Sequence, residues 1–245
     1  MPTTTPTDSS PAADGHSVAP DFLQERLAEA ASYAVLRRIA PALRHDVAGF
    51  MQPVGMLVMV LQRRVQMPEP DMQAIAKNVT SVSALAKEAT TGCMNALDWM
   101  ASQGDARVNL RGCVDEAAKL LAMELSASGL EIANHLPADG AEISQRFFRS
   151  VLMGALLAFS DQRTVGGTLQ VNLDAESGND SLTSRLMLRL LPGSATSLPE
   201  SPDAVPRSRH IDWPDVDAMA GSFGVHTARG DGWIRLELPS LGAPG

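Results

Sequence analysis

The chain has 245 residues, 44% of them hydrophobic and 20% charged, with a formal net charge of −8. That is enough apolar chain for a real core in one large or two small domains, and the acidic balance argues against nucleic acid as the main partner, because phosphate-binding surfaces are usually basic. The two cysteines, Cys93 and Cys113, form neither a metal-ligand spacing nor a disulfide framework, and they read as small core residues in a reduced compartment.

Residues 1–19 are Thr/Ser/Pro-rich and lack the basic end and apolar stretch of a signal peptide. They read as a disordered tail. The longest apolar run, "VGMLVMVL", is well short of the roughly 20 residues a membrane span needs. The expectation is a cytoplasmic protein without membrane contact. From Asp21 to about Val65 the pattern is helical, and "MPEP" at 67–70 breaks it with two prolines. A second helix is expected over 71–100, with apolar positions Met72, Ile75, Val79, Val82, Ala86, Ala89, Cys93, Ala96 and Met100 stepping by three or four. Two long helices joined by a short turn form an antiparallel hairpin. Such a hairpin has little to bury against alone, so a homodimer with a four-helix bundle is expected.

After "SQGDA" the texture changes. The spacing predicts a helix over 109–129 ended by Gly129, a short strand in "LEIANHLP", and a helix over 142–162. Alternation predicts strands in "GGTLQVNLDAE" and "SRLMLRLLP". A Ser/Pro-rich loop is expected over 193–209. "DWPDVDAMAGSFG" reads as a helix and "VHTARGDGWIRLELP" as a β-hairpin. The fold class is α+β: a helical hairpin over 20–101, followed by a sandwich of one sheet and one helical layer over 107–241.

The first helix poses the chemical question. On a helical wheel Leu43, Val47, Phe50, Val54, Leu57 and Leu61 form one apolar stripe, the expected bundle seam. His45 lies about 200° round from Leu43 and points away from it. Gly49, Gln52, Met56 and Met59 all fall within about 40° of His45. This side has no Lys or Glu, and Arg63 is its first charge after the histidine. Exposed methionines mark an adaptable binding surface, so the strip reads as a partner-docking site beside a reactive imidazole. An imidazole offers a neutral ring nitrogen as a nucleophile. Asp46 would orient the ring or take its proton, and Arg44 would meet an incoming phosphoryl group. The plain reading of Arg44-His45-Asp46 is a solvated helix face. His16, His135, His210 and His226 are isolated, and no metal role is expected for them.

Beyond the single dipeptide, "LRHDVAGFMQPVGML" resembles the phosphoacceptor box of two-component sensor histidine kinases. The family's usual proline stands five residues after the histidine; Pro53 stands eight after His45. The order of elements after 107 resembles the family's catalytic ATP-binding domain. Its chemistry is missing. The asparagines that would hold Mg²⁺ align with Gly154 and Ala158, neither a metal ligand. "LMLRLLPGSATS" has no adenine-reading aspartate, and "RSRHIDWPD" has no phosphate-cradling glycines. The chain is most similar to the kinase-shaped bacterial histidine phosphotransferases. The resemblance implies phosphoryl relay between receiver-domain aspartates through His45, with Asp46 as general base and no ATP or other cofactor. The alternatives are a non-catalytic regulator that binds a kinase or response regulator, an autokinase with an unusual nucleotide site, and a structural helical dimer.

Overall fold

The computed structural model describes residues 18–100, 106–139, 141–162, 165–178, 181–197 and 209–238. Helix α1 runs from Val18 to Val65, 48 residues, and α2 from Met72 to Asp98. The helix therefore claims Val18 and Ala19, which the sequence reading assigned to a tail; the rest of that tail lies outside the described residues. Asp71 caps α2, its carboxylate accepting from the backbone N–H groups of Gln73 and Ala74. That satisfies two of the donors a helix start leaves free.

The two helices pack as a hairpin. Its seam is half-buried along Leu43, Val47, Phe50, Val54, Leu57 and Leu61. Gly92 of α2 admits the Phe50 ring: a Cβ built there would lie 2.3 Å from it. Not every apolar position of α2 joins the seam, however. Met72, Val79 and Met100 are exposed, because the side of α2 turned to α1 carries Ile75, Val82, Leu85 and Ala89 instead.

The second unit is built on a five-stranded sheet ordered β2-β4-β5-β7-β6 (Leu130–Asn134, Val165–Gly178, Ser181–Ser197, Trp233–Glu237, Thr227–Gly230). β2 pairs in parallel with β4, and the other pairings are antiparallel. The strands alternate: Leu169, Val171, Leu186, Leu188, Leu190, Ile234 and Leu236 are buried, while Gln170, Asn172, Met187, Arg189 and Arg235 are not. One face is therefore core and the other meets solvent.

Three sequence expectations change here. The helix foreseen over 109–129 is two, α3 (Leu110–Leu120) and α4 (Ala122–Ala127), broken at Leu121. The helix foreseen from 142 starts at Gln145: β3 (Glu142–Ser144) instead pairs with β1 (Arg107–Asn109). Behind it the chain runs through α5 (Gln145–Phe147), a π-helical turn (Phe148–Leu152) and α6 (Met153–Asp161). Finally, β5 continues to Ser197, into the stretch read as loop; residues 198–208 lie outside the described ones. Helix α7 (Trp213–Ser222) begins with Pro214 and a reciprocal Asp212–Asp215 capping box.

The hairpin and the sheet unit share one core. Ala31, Val35 and Ile39 of α1 are buried in the same cluster as Leu156, Met219 and the strands. Trp99, just past α2, packs edge-on against Phe148 at 5.4 Å, and its indole N–H donates to Glu116 Oε1 at 3.1 Å. Cys113 lies in this core, where burial first, and then Glu116, push its thiol up to about 12 against the opposing pull of Arg149. Among the described residues no helix is long and apolar enough to cross a membrane.

Candidate functional site

Helix α1 holds the site, because it is the element that leaves the shared core and continues into solvent. Ala31, Arg38, His45, Gln52 and Met59 are spaced by seven residues, so each lies only about 20° from the last. Ala31 is fully buried and Arg38 is 7% exposed. One heptad later the His45 side chain is 83% exposed. The histidine thus stands where this face emerges from beneath the sheet unit. Gln52 and Met59 then continue it into solvent.

His45 Nδ1 is 3.6 Å from Asp46 Oδ1, an ion-pair distance if the ring is protonated and just outside a hydrogen bond otherwise. This leaves Nε2 clear of the carboxylate. Arg44 is exposed beside it, and Gly49, Gln52, Met56 (54%) and Met59 (63%) are exposed below. A side chain at Gly49 would meet nothing within 4 Å. Pro53 has no N–H to give the Gly49 carbonyl one turn back. One turn below the imidazole the helix therefore carries no Cβ, and the carbonyl there lacks the usual N–H donor four residues on. Of the seven sequence-predicted residues, His45, Gly49, Gln52, Met56 and Met59 share one exposed face of α1, while Asp46 is half-buried to one side and Arg44, exposed, borders the groove between the helices on the other.

On the other side of α1, an almost wholly apolar groove of about 700 Å³ lies between the two helices. Leu36, Leu43 and Val47 line it from α1, with Arg37 and Arg44 at its border, and Cys93, Ala96 and Leu97 line it from α2.

The two positions that the resemblance assigns to metal-holding amides are packed in hydrocarbon. A Cβ on Gly154 would lie 2.4 Å from the Met219 methyl of α7 and 3.7 Å from Val35 of α1. Hydrocarbon from two helices fills the position where the resemblance would put a metal-holding amide. Ala158, one turn on, is fully buried. Among the described residues no group of three or more His, Cys, Asp or Glu is gathered to hold a metal ion.

Sequence reasoning passed over Arg38. Its guanidinium makes a bidentate pair with Asp161 at the end of α6 (Nη1–Oδ2 2.7 Å, Nη2–Oδ1 3.0 Å), and its Nε donates to Glu124 Oε1 of α4 at 2.6 Å. Asp161 Oδ2 also accepts from the backbone N–H of Ile211 at 2.8 Å, just before α7. Burial works to lower the Arg38 pKa, but the hydrogen bonds and charges of Asp161 and Glu124 together raise it. The available signal was a charged residue inside the run Ala28, Ala31, Val35, Ile39, which is otherwise apolar.

No protein-family model matches the chain, and no curated protein sequence does. Among solved structures it is similar to the Acinetobacter baumannii histidine kinase AdeS, at 13% identity with a TM-score of 0.43, over 76% of this chain and 96% of that one. It is also similar to a histidine kinase from Burkholderia phymatum STM815, at 16% identity with a TM-score of 0.36, over 84% of this chain and 99% of the other.

Proposed function

We propose that the chain is a histidine phosphotransferase of two-component signalling that needs no nucleotide. The observation that carries this reading is the solvent-standing His45, with Asp46 at Nδ1 and a strip of exposed Gly, Gln and Met below it. A receiver domain brings its aspartyl phosphate to Nε2. The ring nitrogen bonds to phosphorus as the P–O bond to the aspartate breaks, and the carboxylate leaves with the bonding pair. The reverse step charges a second receiver. Asp46 orients the ring and stabilises its charged form, while Arg44 contacts the phosphoryl oxygens. The hydrocarbon packed around Gly154 supports relay over autophosphorylation. The hairpin (20–101) serves as the phosphotransfer part and the sheet unit (107–241) as its scaffold.

The reading is tested by offering the protein a phosphorylated receiver domain, and separately ATP alone. Label should pass to His45 from the receiver and not from ATP. Magnesium-dependent labelling by ATP would restore an autokinase. Met56→Lys keeps the nucleophile but puts a charge into a partly desolvated contact. It should weaken receiver binding by roughly 1–3 kcal/mol, or about one to two decades in Kd. An unchanged Kd by calorimetry would remove Met56 from the docking surface.

The same proposal includes a homodimer, in which a second copy of the hairpin seats against the apolar groove beside Leu43 and Val47. Leu97 is half-exposed there. The wild type should sediment as a dimer at micromolar concentration and Leu97→Lys as a monomer. A monomeric wild type ends this part of the proposal.

A further inference from the structure

A cavity of about 540 Å³ lies where the foot of the helical hairpin meets the sheet unit. That is within the roughly 300–1,000 Å³ of small-molecule sites. It is a separate place from the phosphoryl site: Glu29, on its wall, stands about 24 Å along the α1 axis from His45. Gly154 and Ala158 do not line it either. From α1 come Glu25 and Glu29, exposed and one helical turn apart. From the sheet unit come Arg146 and Arg149, each stacked on an aromatic ring that also lines the cavity. The Arg146 guanidinium is 5.8 Å from the Phe223 ring centroid, and that of Arg149 is 5.0 Å from the Trp99 centroid. Ring and guanidinium hold one another in place, so both cations are positioned in advance.

The charges on these walls do not neutralise one another. Among the described residues Glu25 and Glu29 form no ion pair with either arginine. Arg149 Nη1 donates to the Asp98 carbonyl, yet its Nε is buried without a hydrogen-bond partner. Burial lowers the Arg149 pKa, and the nearby charges of Glu116 and Asp98 do not offset it. A carboxylate in the cavity would. An anion alone, however, would face the two glutamates, and a cation alone would face the two arginines. We propose that this cavity binds a small zwitterion with an apolar body: a free amino acid with an apolar or aromatic side chain. Its carboxylate lies at Arg146 and Arg149, its ammonium group at Glu25 and Glu29, and its side chain against the hydrocarbon of Leu36 and Ile39. Such a ligand touches the hairpin and the sheet unit at once, so its binding stabilises their docked arrangement.

The test involves no phosphoryl transfer and is independent of the reading of His45. The full chain is titrated by calorimetry with L-phenylalanine, L-leucine and L-methionine. Hydrocinnamate and phenethylamine serve as controls: both keep the phenylalanine ring, but one carries only the carboxylate and the other only the ammonium group. L-phenylalanine should bind with a submillimolar Kd, at least about tenfold tighter than either control. Arg146→Gln should weaken L-phenylalanine about tenfold and leave phenethylamine unchanged or tighter. Glu25→Gln with Glu29→Gln should also weaken L-phenylalanine but tighten hydrocinnamate. All three positions are exposed, so these variants should keep the wild-type Tm. A merely structural role would not move the two controls in opposite directions. If none of the three amino acids binds at millimolar concentration, the proposal fails. It fails equally if hydrocinnamate matches L-phenylalanine, because the α1 carboxylates then take no part. Binding that is the same in the wild type and both variants places the amino acid elsewhere and also ends the proposal.

Discussion

Glutamine in place of His45 should abolish phosphoryl uptake from a phosphorylated receiver while leaving receiver affinity within about twofold. The side chain is 83% exposed, so its replacement removes the nucleophile and little packing or docking area. Glutamine keeps a similar reach and a polar end, but its amide nitrogen is not nucleophilic. Acid-labile label on the wild type, absent from His45→Gln, together with matching calorimetric isotherms, is the expected pair of results. The same variant in cells separates relay from regulation. A relay loses its output with the histidine. A binding regulator keeps full output in His45→Gln and loses it in Met56→Lys, and that result would falsify the phosphotransfer reading.

The largest effect on stability should come from Arg38→Met. Methionine matches the length of the arginine stem, but it leaves Asp161, whose side chain is 1% exposed, buried without its cation, and takes from Glu124 the one side-chain hydrogen bond it accepts among the described residues. Removing one partner of a buried ion pair costs roughly 3–5 kcal/mol, or about 6–20 °C in Tm for a chain of this size. Most of that cost is the stranded carboxylate rather than the worth of the pair. Adding Asp161→Asn should therefore recover part of it, because the amide oxygen still accepts from the Ile211 N–H while the charge is gone. Chemical denaturation of the single and double variants checks this. Equal losses in both would mean that the stranded charge is not the cause. The result bears on function too, since Arg38 is where the histidine-bearing helix is fixed to the sheet unit.

Much of the molecule is legible in the sequence because it is governed by local rules. Helical periodicity gave α1 and α2, and two prolines within four residues gave the turn between them. Period-two alternation gave β4 and β5, and the Gly-Asp-Gly turn gave the hairpin of β6 and β7. Trp213-Pro214 after Asp212 gave the start of α7. The exposure of His45 also follows from wheel arithmetic alone, since an angle of about 200° from the apolar stripe is a property of the helix rather than of its neighbours. The same arithmetic put Gln52, Met56 and Met59 beside it.

What the tertiary structure decided is which surface each stripe meets. Periodicity shows that a face is apolar and says nothing about its partner. For that reason the first half of α1, read as hairpin, enters the core of the sheet unit through Ala31, Val35 and Ile39. The three-residue strands β1 and β3 are too short to show alternation and exist because they pair across 107–144. Arg38 and Asp161 are 123 residues apart, and each taken alone reads as a solvated charge. Their burial depends on the bidentate geometry that only the folded chain provides, and that geometry places the exposed imidazole at the edge of the sheet unit.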